Sequence, residues 1–127
     1  KGFDINTIPQ EISYLSHFDA NSSEEATKTF VENYKAKFNG ETPSQFAAAA
    51  YDCVYALYEA LTAAGESKVS ASMSAEEFCR VLKEQFDGSF TYSGVTGSNM
   101  KWTRSTSGAG YVEKTATKFV VKEADNA

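Results

Sequence analysis

The chain has 127 residues, of which 42% are hydrophobic and 23% charged, an ordinary composition for one globular domain rather than a disordered segment. The formal net charge is -5 and no block of Lys and Arg stands out, which argues against binding to nucleic-acid phosphates or to an anionic membrane surface. No apolar run approaches the roughly 20 residues that a membrane-spanning helix requires.

The start of the chain predicts one strand. Residues 1–10 show no clear period, and Pro9 interrupts any regular element there. From Ile12 the side chains alternate until the run ends near Phe18. This pattern predicts a short, largely buried strand.

A first helix is predicted to follow. Ser22 and Glu25 have the spacing of a capping box, in which each side chain accepts from the other residue's backbone N–H. Apolar residues at every fourth position from Phe30 to Phe38 give the helix one apolar face. The pair at 39–40, Asn and Gly, supplies the left-handed conformation that ends it.

The second predicted helix is unusually apolar. Thr42 is a suitable N-cap, Pro43 suits the first helical position and Gln45 completes the box. The helix runs to about Ala64, and Gly65 closes it. Because apolar side chains occupy much of its circumference, and because a row of tyrosines is more typical of a core, we expect cover on more than one side.

A third helix and several short strands complete the chain. Ser74 and Glu77 form a second capping box, and the helix is expected to end at 87–88, Asp and Gly. Residues 94–97, Gly-Val-Thr-Gly, are interpreted as a turn because neither Lys nor a helix follows them. A glycine-rich turn at 105–110 joins two strands, 118–122 is the clearest strand, and 123–127 is a frayed tail.

Metal binding and catalysis find little support in the sequence. Cys53 and Cys79 are expected to be small buried hydrophobic residues on helices, and a disulfide between them stays open because sequence does not fix its geometry. A zinc site needs about four ligands, and His17 is the only histidine. Ser16 and His17 are adjacent on a strand and point to opposite faces, which argues against a catalytic pair. The glutamate pairs at 24–25 and 76–77 fit helix N-termini. We therefore predict no enzyme activity, no catalytic residue, no metal and no cofactor.

The order and spacing of several weak motifs are more specific than any one of them. The motifs are Phe30–Phe38, 40–43, Phe46–Val54, 64–65, 90–97, 100–102 and 118–121. Together they resemble the type I periplasmic binding proteins of branched-chain amino acid ABC transporters, over residues 13 to 123. The resemblance covers nearly the whole chain.

That resemblance implies an architecture of two α/β lobes joined by three crossovers, with the ligand trapped between the lobes. This chain, with three main helices and a few short strands, would be the C-terminal part of such an α/β fold. Residues 1–41 would belong to the second lobe, 42–100 would be first-lobe helices and their connection, and 101–127 would be terminal strands crossing the hinge. Because the chain begins with Lys1, we expect a processed or excised piece.

The same resemblance implies a non-catalytic component that binds a small molecule, an amino acid or a similar compound. Phe46 matches a position that packs against the ligand, and His17 with Phe18 ends a strand near the cleft. The implied partner is the membrane permease, and the implied location is the periplasm or cell surface, with a lipid anchor on the full-length protein. A ligand-sensing domain of a receptor or regulator is the alternative. By itself, the chain is expected to dimerise or swap elements to bury its uncovered surfaces.

Overall fold

A computed structural model describes residues 4–108 and 110–123 of the chain. This part has a mixed α/β fold with three α-helices, two short 3-10 turns and two antiparallel sheets. The elements in chain order are β1 (Ile12–Ser16), α1 (Glu25–Lys37), α2 (Gln45–Ala64), α3 (Ala75–Phe86), β2 (Thr91–Gly94), β3 (Gly97–Arg104), β4 (Gly110–Glu113) and β5 (Thr117–Lys122). The 3-10 turns are Ile5–Thr7 and Glu66–Lys68. Most of the tail predicted at 123–127 lies outside the described residues.

The first sheet is a ribbon of two strands from opposite ends of the chain. β1 pairs antiparallel with β5, and the rings of Tyr14 and Phe119 stack with centroids 5.3 Å apart. The predicted strands at both places are confirmed, although β1 ends at Ser16. The prediction that β1 is largely buried is wrong. Leu15 is 70% exposed, because a two-stranded ribbon leaves much of its surface uncovered.

The second sheet has three strands in the order β2-β3-β4, all antiparallel to their neighbours. The predicted turn at 94–97 is confirmed and forms the tight end of the β2–β3 hairpin, where Gly94 pairs with Gly97. The turn predicted at 105–110 is confirmed in position, since it connects β3 to β4. Its residue 109 lies outside the described residues.

The helix ends confirm one predicted capping box and correct two. Ser74 accepts from the Glu77 N–H while Glu77 accepts from the Ser74 N–H, as expected. Ser44, and not Thr42, caps α2 by accepting from the Ala47 N–H at 3.3 Å. Both residues are of a type that caps helices. With Ser44 as the cap, Pro43 lies before the helix, where it is buried.

The box predicted at Ser22 does not form. Ser22 Oγ accepts from the Glu24 N–H at 3.2 Å, so the hydroxyl closes a local turn ahead of α1. Glu24 becomes the N-cap without a side-chain capping bond. The predicted C-terminal ends of α1 and α2 are confirmed by positive φ angles at Asn39 and Gly40 after α1 and at Gly65 after α2.

Two apolar clusters form the core, and α2 contributes to both. One joins Phe18, Phe30, Val31, Ala48 and Val95. The other joins Ala56, Tyr92 and Met100, with Phe90, Trp102 and Val112 packed against it. These clusters hold the helix against α1 on one part of its length and against the three-stranded sheet on another.

Helix α2 is covered on one side only within the described chain, so these residues do not supply the cover that was expected on more than one side. The buried side, here called the inner stripe, consists of Ala48, Asp52, Ala56 and Ala60. The other side, here called the outer face, carries Phe46, Val54, Leu57 and Tyr58, all exposed. The tyrosines of this helix, expected in the core, are also exposed.

Cys53 and Cys79 are both free and exposed, so the expectation that they are buried is wrong. Each lies beside a buried position of its helix rather than on it, next to Asp52 in α2 and two residues before Val81 in α3. Helical geometry turns adjacent positions to different sides, so a neighbouring buried residue does not bury the cysteine.

Candidate functional site

A buried carboxylate fixes the turn between β2 and β3. Asp52 on α2 is 3% exposed, and its Oδ1 accepts from the Val95 N–H at 2.9 Å. Its Oδ2 accepts from the Thr96 N–H at 2.8 Å and from the Thr96 hydroxyl at 2.5 Å. These bonds satisfy two backbone donors that the tight turn leaves without sheet partners, and they tie the turn to the helix.

Two further groups extend this junction. The Tyr92 hydroxyl lies 3.4 Å from Asp52 Oδ1, and Lys114 Nζ donates to Thr96 Oγ1 at 2.6 Å. Burial raises the pKa of Tyr92, and the nearby Asp52 carboxylate raises it further. Tyr92 therefore stays a neutral donor, and the carboxylate is held by hydrogen bonds from three residues of the hairpin.

Gly94 is required at this junction. A Cβ added there would overlap the Asp52 carboxylate and the Tyr92 ring. The glycine of the Gly-x-Thr-Gly turn therefore serves the close approach of a carboxylate from the same chain and not that of a phosphate. The sequence interpretation gave Asp52 no role and so missed this one.

The turn held by Asp52 forms one wall of a cleft of about 530 Å³. The opposite wall combines His17 and Phe18, which directly follow β1, with the start of α1. Thr115 and Thr117, at and before the start of β5, close a third side, and His17 Nδ1 lies 3.3 Å from the Thr115 carbonyl oxygen. The cleft thus lies where the two sheets and α1 approach one another.

The lining of this cleft is hydroxyl-rich and acidic. Among the described residues that line it there are two carboxylates, Asp19 and Glu24, and no Lys or Arg. The hydroxyl-bearing residues of the lining are Ser22, Thr27, Ser93, Thr96, Ser98, Thr115 and Thr117. Such a surface can hydrogen-bond a polar ligand, and its charge disfavours an anion.

The structure brings together two of the three residues predicted to contact a ligand. His17 is exposed and lines the cleft, and Phe18 lies beside it with its ring packed edge-on against Phe30 at 5.8 Å. Phe46 does not line this cleft. It lies at the start of α2 on the outer face and is 76% exposed.

The described part of the chain contains no cluster of side chains suited to bind a metal ion. No group of three or more His, Cys, Asp or Glu side chains in residues 4–108 and 110–123 is arranged to hold a metal ion. Within the same residues, no helix is both long and apolar enough to cross a bilayer.

Comparison with known proteins gives no relative. No protein-family model, no curated protein and no solved structure matches the chain.

Proposed function

We propose that the chain is the C-terminal part of a non-catalytic small-molecule-binding protein of the type I periplasmic class, serving an amino acid ABC transporter. The observation that carries the proposal is the uncovered outer face of α2. Phe46 and Tyr58 are 76% and 66% exposed, and Val54 and Leu57 lie on the same side of the helix. A large exposed apolar surface of this kind marks a site that another surface covers.

In the proposed architecture, the remainder of the first lobe covers this face. Burying apolar surface contributes about 25 cal/mol per Å², so covering four large side chains provides a substantial stabilisation. Phe46 lies at the helix start, at the edge of this surface. It is therefore suited to contact a ligand held between the covering lobe and this chain.

The sheet topology is consistent with the proposed division of the chain. Strand β1, assigned to the second lobe with residues 1–41, pairs with β5, assigned to the hinge-crossing segment 101–127. The helices α2 and α3 lie in the intervening first-lobe segment, 42–100. A ribbon made from both ends of the chain is a reasonable connection between two lobes.

The proposal also implies a ligand, a protein partner and a location. The ligand is an amino acid or a similar small molecule, and the protein partner is the membrane permease. The protein acts outside the cytoplasm, at the cell surface or in the periplasm, with a lipid anchor on its full-length form. The net charge of -5 fits the absence of a nucleic-acid partner from this proposal.

Calorimetry on the longer protein that contains this chain, against a panel of amino acids, tests the proposal. We expect at least one to bind, and Phe46→Ala to weaken that binding by about tenfold or more, since buried aromatic anchors dominate binding energies. Phe38→Ala is the control, because Phe38 is a partly exposed aromatic at the end of another helix. The 127-residue chain alone should have negligible affinity for every amino acid.

Two outcomes contradict the proposal. Failure of the longer protein to bind any amino acid would favour a sensing domain of a receptor or regulator on the same fold, or an interaction domain without a small ligand. Micromolar binding of an amino acid by the isolated chain would show that its binding site needs no second lobe.

A further inference from the structure

The connection between the two sheets forms one side of the cleft. Residues 114–116, here called the strap, join β4 to β5, and Thr115 lines the cleft together with Thr117 at the start of β5. Within the described chain, no strand pairing includes the strap, and neither apolar cluster of the core contains one of its residues. A segment with few buried apolar contacts opens at a low free energy. The hold on the strap therefore depends on a small number of polar contacts.

A directional chain of hydrogen bonds fastens the strap to α2. Lys114 Nζ donates to Thr96 Oγ1 at 2.6 Å, and the Thr96 hydroxyl donates to Asp52 Oδ2 at 2.5 Å. An ammonium group only donates and a carboxylate only accepts, so the single hydrogen of the Thr96 hydroxyl is available to Asp52. Among the described residues, Lys114 forms no ion pair, and Thr96 is the one side chain that its ammonium group contacts. The charge of Lys114 is thus linked to the Asp52 carboxylate through a single buried hydroxyl.

A second contact of the strap is weaker. His17 Nδ1 lies 3.3 Å from the Thr115 carbonyl oxygen, and this contact is exposed to solvent. Water competes for both groups there, whereas the bond from Lys114 to Thr96 is partly buried and carries a charge. The position of the strap therefore depends more on Lys114 than on His17.

We propose that the strap is a movable wall of the cleft and that Lys114 is its latch. While Lys114 is bonded to Thr96, the strap lies against the hairpin turn and closes the third side of the cleft. When that bond breaks, residues 114–116 move away from Thr96 and the cleft widens between the two sheets. The latch lies within the described chain and its test needs no ligand, so it stands or falls separately from the proposed transporter function.

Hydrogen exchange of the backbone amides measures how often the strap opens. Lys114→Met keeps an unbranched side chain but removes the ammonium group. We expect the amides of residues 114–117 to exchange about tenfold faster in this variant, because a charged hydrogen bond is lost. The amides of α3, which lies away from the strap, should exchange at the rate of the parent. His17→Ala should speed exchange of the strap by a smaller factor than Lys114→Met.

A cysteine in the cleft measures the widening itself. Thr27 lines the cleft and is 6% exposed. Cys53 and Cys79 are exposed, so both are first changed to Ser. In that chain, Thr27→Cys should react slowly with a small thiol reagent. Adding Lys114→Met should raise the reaction rate by about tenfold, because labelling follows the population of the open form.

Variants at Thr96 test the order of the chain. Thr96→Ser keeps the hydroxyl and should keep the latch, whereas Thr96→Val should release the strap. Adding Lys114→Met to Thr96→Val should cause no further increase in exchange of the strap, because both changes break the same link.

Lys101→Met is the matched control. Lys101 forms an exposed ion pair with Glu113 at 3.2 Å, so it makes the same chemical change next to the strap without touching Thr96. Exchange of the strap and labelling of Thr27→Cys should both stay at the level of the parent. Unchanged exchange at 114–117 in Lys114→Met, an equal rise in α3, or unchanged labelling of Thr27→Cys would each overturn the proposal. Additive effects of Thr96→Val and Lys114→Met would do the same.

Discussion

The two sides of α2 differ in a way that reverses the usual design of a surface helix. The inner stripe packs against the rest of the chain and consists of three alanines and one aspartate. The outer face, which is open, carries the large apolar side chains. An ordinary amphipathic helix buries its large apolar residues and exposes its polar ones.

This difference shows what attaches the helix. Alanine buries little area, so the inner stripe stabilises the contact mainly by allowing close approach and by the hydrogen bonds of Asp52. The outer face contributes almost nothing to the stability of the described chain. Its hydrophobic energy becomes available only when another surface covers it.

The largest expected effect comes from removing the polar attachment. Asp52→Ala should lower the free energy of unfolding by about 3 kcal/mol or more, because it leaves two buried N–H groups without acceptors at roughly 1–3 kcal/mol each. Urea unfolding followed by circular dichroism measures this change. Glu59→Ala, at an exposed position of the same helix, should stay within about 0.5 kcal/mol of the parent.

The same junction can be disturbed from the hairpin side. Gly94→Ala places a methyl group on the Asp52 carboxylate and should cost about 1–3 kcal/mol, the usual penalty for overpacking. Gly110→Ala is the matched control, since a Cβ there meets nothing within 4 Å. A Gly94→Ala protein as stable as the Gly110→Ala protein would contradict the close approach of α2 and the turn.

The elements that could be predicted from the sequence depend on local chemistry. The Ser74–Glu77 box, the glycine at 65 and the hairpin turn at 94–97 were predictable because each is set by residues a few positions apart. Thr42 and Ser44 are both good caps two residues apart, and the choice between them depends on how the proline packs.

The features that could not be predicted depend on contacts between distant residues. Asp52 and Thr96 are 44 positions apart, and nothing near either residue signals the other. The exposure of Leu15, Cys53 and Cys79 likewise depends on how the helices and strands pack against one another. The periodicity of the sequence does not specify this packing. In the candidate site, His17 and Phe18 were anticipated through the resemblance. Glu24, which also lines the cleft, was interpreted only as a residue of a helix N-terminus.

The outer face should affect association far more than folding. We expect the isolated chain to self-associate through α2, and the double change Val54→Ser with Tyr58→Ser to shift it to monomer in sedimentation velocity. Because both side chains are about two-thirds exposed, the stability of the monomer should change by no more than about 0.5 kcal/mol. Tyr111→Ser, an exposed tyrosine on β4, should leave association unchanged. A parent chain that stays monomeric at high concentration would contradict self-association through the outer face of α2.

The smallest expected effect on the free energy of unfolding comes from Asp87. Like Asp52, this aspartate accepts several hydrogen bonds, but it lies in solvent. Asp87, at the end of α3, accepts from Arg104 Nε at 3.0 Å and Nη2 at 2.6 Å, and from Lys83 Nζ at 2.6 Å. The bonds from Arg104 and then Lys83 lower the pKa of Asp87 from 3.8 to about 2.

Because the folded pKa of Asp87 lies below the unfolded value, its stabilisation is present above about pH 4 and is lost as the pH falls toward 2. Asp87→Asn should therefore flatten the decline of unfolding free energy over this interval, while Glu84→Gln, in an ion pair within α3, should not. The change should be small because water and salt screen exposed pairs. An effect as large as that of Asp52→Ala would mean that burial is not what distinguishes the two aspartates.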